Sequence, residues 1–258
     1  MKTGIIAILT FAVALSSCTI MLDCIEGNGD IKSEERTVSS FTAIANETSF
    51  HVVYVQGTGY SVTVEAESNI LPYIETRVTG GGLEISTIRG THCLRCGTQP
   101  VITVTAPLIS ELVNAGSGDI VAGDLEGENV KLVASGSGDI FAGEISGEDV
   151  SIVVSGSGNI MTDGISVSTF KATLSGSGDL TVSGAAVSSR YVVSGSGSVF
   201  SGNLVTNTAV VTMSGSGSVY TSVDDRLDAV ISGSGNIYLH GSPQVSVTRT
   251  GSGRIIYR

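Results

Sequence analysis

Asp119 and Asp139 stand twenty residues apart, each directly after a Gly-Ser-Gly tripeptide. If the residues between them form one turn of a stacked structure, the two carboxylates lie roughly 5 Å apart, the separation at which a retaining glycosidase pairs an acid with a nucleophile. Later copies carry Asn159, Asp179, Ser198, Ser218, Asn236 and Arg254 at the same position. A carboxylate ladder attracts calcium, yet Asn, Ser and Arg interrupt this one, and calcium-binding β-rolls repeat every nine residues or so. Asp, Asn and Ser are also turn formers, which accounts for the column without an ion. No recurrent Arg or Lys stands beside Asp119 and Asp139, so a polysaccharide-cleaving enzyme using that pair is the alternative reading, not the leading one.

The other reactive side chains are few. Cys93-Leu94-Arg95-Cys96 reads as a redox pair, half a zinc site or a disulfide clip, with His92 and Cys24 available as further ligands. In an oxidising compartment a disulfide is the simplest outcome, either Cys93 to Cys96 or one of them to Cys24, leaving one thiol over. His51, His92 and His240 sit in no nucleophile-elbow or triad context. No catalytic residue, metal or cofactor is expected.

What must position these groups is an internal repeat. Gly-Ser-Gly begins at Gly116, Gly136, Gly156, Gly176, Gly195, Gly215, Gly233 and Gly251. A unit of about twenty residues cannot close a core alone, so neighbours must stack and share one interior. Alternation in runs such as Val130-Lys131-Leu132-Val133-Ala134 makes the units strands, and the absence of a Leu framework with an Asn ladder sets them apart from leucine-rich repeats. The fold expected is all-β: a parallel β-helix of about eight or more coils, each of about three short strands, forming a rod ~40 Å long. Ile120, Ile140, Ile160, Leu180, Val199, Val219, Ile237 and Ile255 make one inward column; Leu132, Ile152, Ala172, Tyr191, Val211, Ala229 and Val247 make a second. The glycines between them are expected at tight corners with φ > 0.

Alternation aims the next column outward: Val121, Phe141, Met161, Thr181, Phe200, Tyr220, Tyr238 and Ile256. It is mostly large and apolar. A continuous stripe of this kind marks a face for a protein or glycan ligand, or a homodimer contact, unless a loop or the N-terminal region covers it.

The chain begins with Lys2, an apolar run from Gly4 to Leu15, and Leu15-Ser16-Ser17-Cys18. This pattern predicts a lipoprotein signal peptide over 1–17, with Cys18 acylated and anchored to a membrane, and a tether over 18–27. The run is shorter than the roughly 20 residues that span a bilayer. Thr19 instead of Asp after the cysteine argues for outer-membrane delivery. The formal charge of −11 excludes nucleic acid as a partner. Residues 28–107 are strand-rich but irregular, an elaborated start or cap for the repeats of 108–258. Gly27-Asn28-Gly29-Asp30-Ile31 reads as a degenerate copy of the repeat motif.

Gly29-Asp30-Ile31, Glu35-Arg36, Phe41, Val55-Gln56-Gly57, Val62-Thr63-Val64-Glu65-Ala66, Asn69-Ile70-Leu71-Pro72-Tyr73-Ile74 and Gly82-Leu83-Glu84-Ile85 precede the repeated Gly-Ser-Gly-Asp/Asn-Ile in that order. In this the chain resembles exported bacterial proteins of the "putative auto-transporter adhesin, head GIN domain" family, from about Asn28 to its end. The resemblance implies a right-handed β-helix on a lipoprotein or secreted chain and brings no catalytic residues with it. An auto-transporter in the strict sense would need a membrane barrel, for which 258 residues leave no room. The expected role is non-catalytic display, adhesion or structure in the cell envelope.

Overall fold

The computed structural model describes residues 24–91 and 93–258. The expected signal peptide, Cys18 and His92 lie outside the described residues. The N-terminal region supplies β1 (Ile25–Glu26), β2 (Ile31–Arg36), β3 (Ala43–Asn46), β4 (His51–Gln56), β5 (Ser61–Glu67), β6 (Ile74–Thr79), β7 (Gly82–Thr87), β8 (Leu94–Arg95) and β9 (Val101–Ala106). The repeats supply β10 (Glu111–Asn114), β11 (Ile120–Ala122), β12 (Leu125–Ala134), β13 (Ile140–Val154), β14 (Ile160–Leu174), β15 (Leu180–Val193), β16 (Val199–Met213), β17 (Val219–Ile231), β18 (Ile237–His240), β19 (Gln244–Arg249) and β20 (Ile255–Tyr257).

The repeats form a parallel β-solenoid of about seven turns. Each coil pairs in parallel with the next at the offset of the repeat: Ile120 opposite Ile140, Ile140 opposite Ile160, and Leu132 opposite Ile152. The middle coils are single bent strands of 13 to 15 residues in place of the three separate short strands expected. Burial still marks three inward groups, in β13 Ile140 with Ala142, then Ile145, then Val150, Ile152 and Val154. The first inward column is fully buried from Ile120 to Ile237, and the second from Leu132 to Ala229. Val247 departs from expectation and is 50% exposed, because β19 pairs only with β17 and no described strand stacks on its other side.

The glycines of the tripeptides are required by crowding along the axis. A Cβ on Gly136 would overlap the Gly116 carbonyl oxygen, one on Gly138 the Gly118 carbonyl oxygen, and the overlap recurs at every later tripeptide. None of them has a positive φ; positive values fall on Gly29, Gly80, Gly81, Gly90, Gly184 and Gly241. Glycine therefore serves close backbone approach here, in place of the left-handed corner expected. The approach is used: the backbone N–H groups of Ser137 and Gly138 both donate to the Gly116 oxygen, at 3.0 and 3.2 Å.

The N-terminal strands join the same sheet, except β1 and β8, which pair with each other in a separate two-stranded sheet. β3 and β4 occupy the coil position below β10 and β11. Beneath them lie parallel β7 and β9, and then antiparallel strands end the stack: β6 on β7, β5 on β9, and β2 on β5. Edge strand β2 reads Ile-Lys-Ser-Glu-Glu-Arg, and its exposed charges discourage pairing with another sheet. The degenerate corner is thus not at 27–31, where Gly29 has φ +74° and Ile31 lies exposed on that edge strand. It is at 46–52, joining β3 to β4, where the glycines are replaced by Thr48 and Phe50.

Candidate functional site

The residues after the tripeptides form a hydrogen-bonded ladder from Asp119 to Ser218, with a further rung from Asn236 to Arg254. Asp119 Oδ1 accepts from the backbone N–H of Asp139 at 2.9 Å, Asp139 Oδ1 from that of Asn159 at 2.7 Å, and Asn159 Oδ1 from that of Asp179 at 2.9 Å. Asp179 serves Ser198 at 2.7 Å, Ser198 Oγ serves Ser218 at 3.1 Å, and Asn236 serves Arg254 at 3.0 Å. Each side chain satisfies an N–H that the corner turns away from the sheet ladder. Asp, Asn and Ser share this column because each offers a short-armed acceptor oxygen. Asp119 and Asp139 are therefore tied into the backbone, and His51 Nδ1 approaches Asp119 Oδ2 at 3.6 Å. No cluster of three or more His, Cys, Asp or Glu suited to a metal occurs among the described residues.

The outward column is continuous. Register pairs Val121 with Phe141, Phe141 with Met161, Met161 with Thr181, Thr181 with Phe200, Phe200 with Tyr220, Tyr220 with Tyr238 and Tyr238 with Ile256. Val121, Met161, Phe200 and Ile256 are exposed by 36 to 43%, so no described loop or N-terminal strand covers the stripe. Phe200 and Tyr220 stack at 5.1 Å between ring centroids, and Tyr220 and Tyr238 at 4.4 Å with planes 8° apart. Both distances match the ~4.8 Å spacing of strands. The Arg258 guanidinium lies 4.7 Å from the Tyr238 centroid. Stacking thus consumes the inner ring faces, and Tyr220 and Tyr238 offer mainly their edges.

Behind the rings lies a polar cluster that alternation alone had filed as core. Tyr191 is fully buried, and Ser201 bridges its hydroxyl at 3.0 Å to the Tyr220 carbonyl at 2.6 Å. Ser189 and Thr206 join at 3.3 Å. Burial pushes the Tyr191 phenol above its usual range, against the pull of its hydroxyl neighbours. Its legible signal was size: Tyr191 stands where the column otherwise holds Leu, Ile, Val or Ala. A groove of about 400 Å³ opens beside Phe200, lined by Thr162, Thr181, Val182, Ser183, Gly202 and Asn203, with Tyr220 at its edge. The register slips there, between Thr181 and Ser183.

Of the two pairings expected, Cys93 to Cys96 or one of them to Cys24, the structure has the second. Cys24 bonds Cys93 across 69 residues, beside the β1–β8 pair, and Cys96 is free and half-buried. The local clip fails because Leu94 and Arg95 run as a strand against Ile25 and Glu26, which brings Cys24 to Cys93. Burial, and then the neighbouring Glu67 carboxylate, push the Cys96 thiol up, which suits an inert side chain. Glu67 is itself buried and accepts the backbone N–H groups of Gly29 and Gly97 at 2.7 and 2.8 Å, pinning the β1–β2 connection to the loop after β8.

The site thus combines a corner ladder that bonds each coil to the next with an apolar stripe left uncovered among the described residues. Residues 40–165 and 141–243 match the family model described as "Putative auto-transporter adhesin, head GIN domain", and the chain belongs to that family. Among solved structures it is similar to a putative lipid binding protein from Parabacteroides distasonis, at 26% identity and TM-score 0.84, covering 91% of this chain and 99% of that one. A putative adhesin from Parabacteroides merdae shares the fold at 20% identity and TM-score 0.81, over 92% and 99% of the two chains. Another from Parabacteroides distasonis does so at 21% and 0.80, over 92% and 100%. No curated protein matches the chain.

Proposed function

We propose that the chain is a non-catalytic lipoprotein of the cell envelope, delivered to the outer membrane and anchored through Cys18, whose solenoid displays the Val121-to-Ile256 stripe for adhesin-like binding. The observation that carries the reading is the stripe itself: an outward column, apolar except at Thr181, repeated at every coil and left uncovered. The adhesin family supports it, as do solved relatives named as adhesins and as a lipid binding protein. Asp119 and Asp139 each commit Oδ1 to the backbone N–H of the next coil, and the same bond recurs with Asn and Ser at this position, which supports a structural role for the column.

The same exposed column also favours a second reading, a homodimeric envelope scaffold. Light scattering on residues 19–258, beside a variant with Phe200, Tyr220 and Tyr238 changed to Ser, separates the two. Display predicts a monomer in both. A wild-type dimer that becomes a folded monomer in the variant makes the stripe a self-association face and overturns display.

A further inference from the structure

From the groove at the end of the aromatic stack, we infer a binding site for the pyranose ring of a neutral sugar, seated on the free face of Phe200. This rests on reading the stripe as a binding face and locates its ligand.

In the stack of Phe200, Tyr220 and Tyr238, Tyr220 is covered on both faces by its neighbours. Phe200 has a ring on one side only. On the other side its partner in the adjacent coil is Thr181, which is too small to cover a phenyl ring, and Phe200 is 39% exposed. The stripe therefore offers one open aromatic face, at the point where the coil wall is irregular. β16 carries one residue more between Phe200 and Asn203 than β15 carries between Thr181 and Ser183, so the register slips beside the groove.

The lining states the ligand chemistry. An aromatic face attracts the C–H surface of a sugar ring, and Thr181 and Asn203 supply hydroxyl and amide groups that both donate and accept, as sugar hydroxyls do, while Ser183, whose hydroxyl donates to the Asp163 carbonyl at 2.7 Å, can still accept. Not one of the eight lining residues is charged, in a chain of net charge −11. The contrast lies one face away, where a smaller groove of about 210 Å³ is lined by Asp124, Glu126 and Glu144. An anionic ligand would find no cation beside Phe200, and a cation would find the acidic groove better. About 400 Å³ falls in the range of small-molecule sites.

Thr162 closes the back wall of the groove, 8% exposed and in register with the inward Ala142 of the coil below. Gly202 provides the matching test of space. A Cβ there meets nothing closer than the Tyr220 Cβ at 3.9 Å, and its φ is not in the left-handed region, so a side chain can fill the groove without disturbing the fold.

The test is saturation-transfer difference NMR on the purified chain, with the methyl glycosides of glucose, galactose, mannose and N-acetylglucosamine as probes. At least one is expected to show transfer to its ring protons. Phe200→Ala should weaken that sugar's binding about fivefold or more, Phe200→Tyr should retain it, and Gly202→Val should abolish it with an unchanged melting temperature. Silence from all four sugars, or transfer that survives both Phe200→Ala and Gly202→Val, overturns the inference. Light scattering on the same sample keeps the failures distinct: a monomer that ignores every sugar overturns the sugar site alone, whereas a stripe-dependent dimer overturns the display reading beneath it.

Discussion

At the corner of every repeat coil, Gly-Ser-Gly lets successive backbones touch, whereas the corner of the N-terminal coil, Glu47 to Phe50, has no glycine and is held by side chains. There Asn46 is fully buried, donates from Nδ2 to the carbonyl oxygens of Phe50 and Gly118 at 3.1 and 3.3 Å, and accepts at Oδ1 from the N–H and hydroxyl of Thr48. Asn114 works similarly one coil up, its Nδ2 reaching Gly118 and Asp139 at 2.8 and 3.0 Å. Above it the same inward position passes to Ala134, Val154, Leu174, Val193, Met213 and Ile231. A coil with equivalent neighbours on both sides can rely on backbone contact and apolar filling. A coil that meets the cap needs specific polar ties. The difference separates stability that is periodic from stability that is local.

The largest expected effect breaks the periodic side. Gly156→Ala places a Cβ on the Gly136 carbonyl oxygen and must separate two coils. We expect a loss of about 4 kcal/mol or more in guanidinium unfolding. Gly123→Ala, with nothing within 4 Å, should stay within about 0.5 kcal/mol. Equal losses at the two positions would show that crowding is not what selects the tripeptide.

The local side is tested through its disulfide and its asparagine. Cys24→Ser should cost about 3 kcal/mol, because the bond closes a loop of 69 residues. In hydrogen exchange the protection lost should concentrate in β8 and the loop pinned by Glu67, with β13 to β16 still protected. Uniform loss along the solenoid would mean that the cap and the repeats unfold as one unit. Asn46→Ala should cost about 2 kcal/mol, since it strips the partner from the buried Thr48 N–H, and the measurement is the same denaturant midpoint.

How much of this was legible follows the same division. Eight near-identical tripeptides announce a stacked fold, and strict alternation places Ile120 inward and Val121 outward without knowledge of any contact, because each coil repeats the environment of the last. The cap has no such redundancy. Nothing in Cys24, Cys93 and Cys96 says which two meet, since that depends on the β1–β8 pairing, a contact 69 residues long. Nor does Glu47-Thr48-Ser49-Phe50 resemble Gly-Ser-Gly, although it takes the same place in the stack. Within the repeats, what escaped was the purpose of small residues. Glycine was read as torsional freedom when it provides clearance, and Ser201 and Thr206 were hidden in a strand whose alternation marks them only as inward. The groove at Phe200 lies where β16 carries one residue more than β15, a break that shows in the sequence only as the 19-residue step from Gly176 to Gly195 among steps of 20.

The smallest effect sharpens the reading of the column that first drew attention. If Asp139 acts as an acceptor for the Asn159 N–H, then Asp139→Asn keeps the oxygen and should change stability by less than about 0.5 kcal/mol, as Asn159 and Asn236 already do in their coils. Asp139→Ala removes the acceptor and should cost about 1 kcal/mol, because the N–H it served is half-buried. The pair of variants distinguishes geometry from charge. A cation site or a catalytic acid at this position would make Asn as damaging as Ala, since both remove the charge. A ladder of hydrogen bonds makes Asn nearly silent, and explains why the column accepts Asp, Asn and Ser in turn.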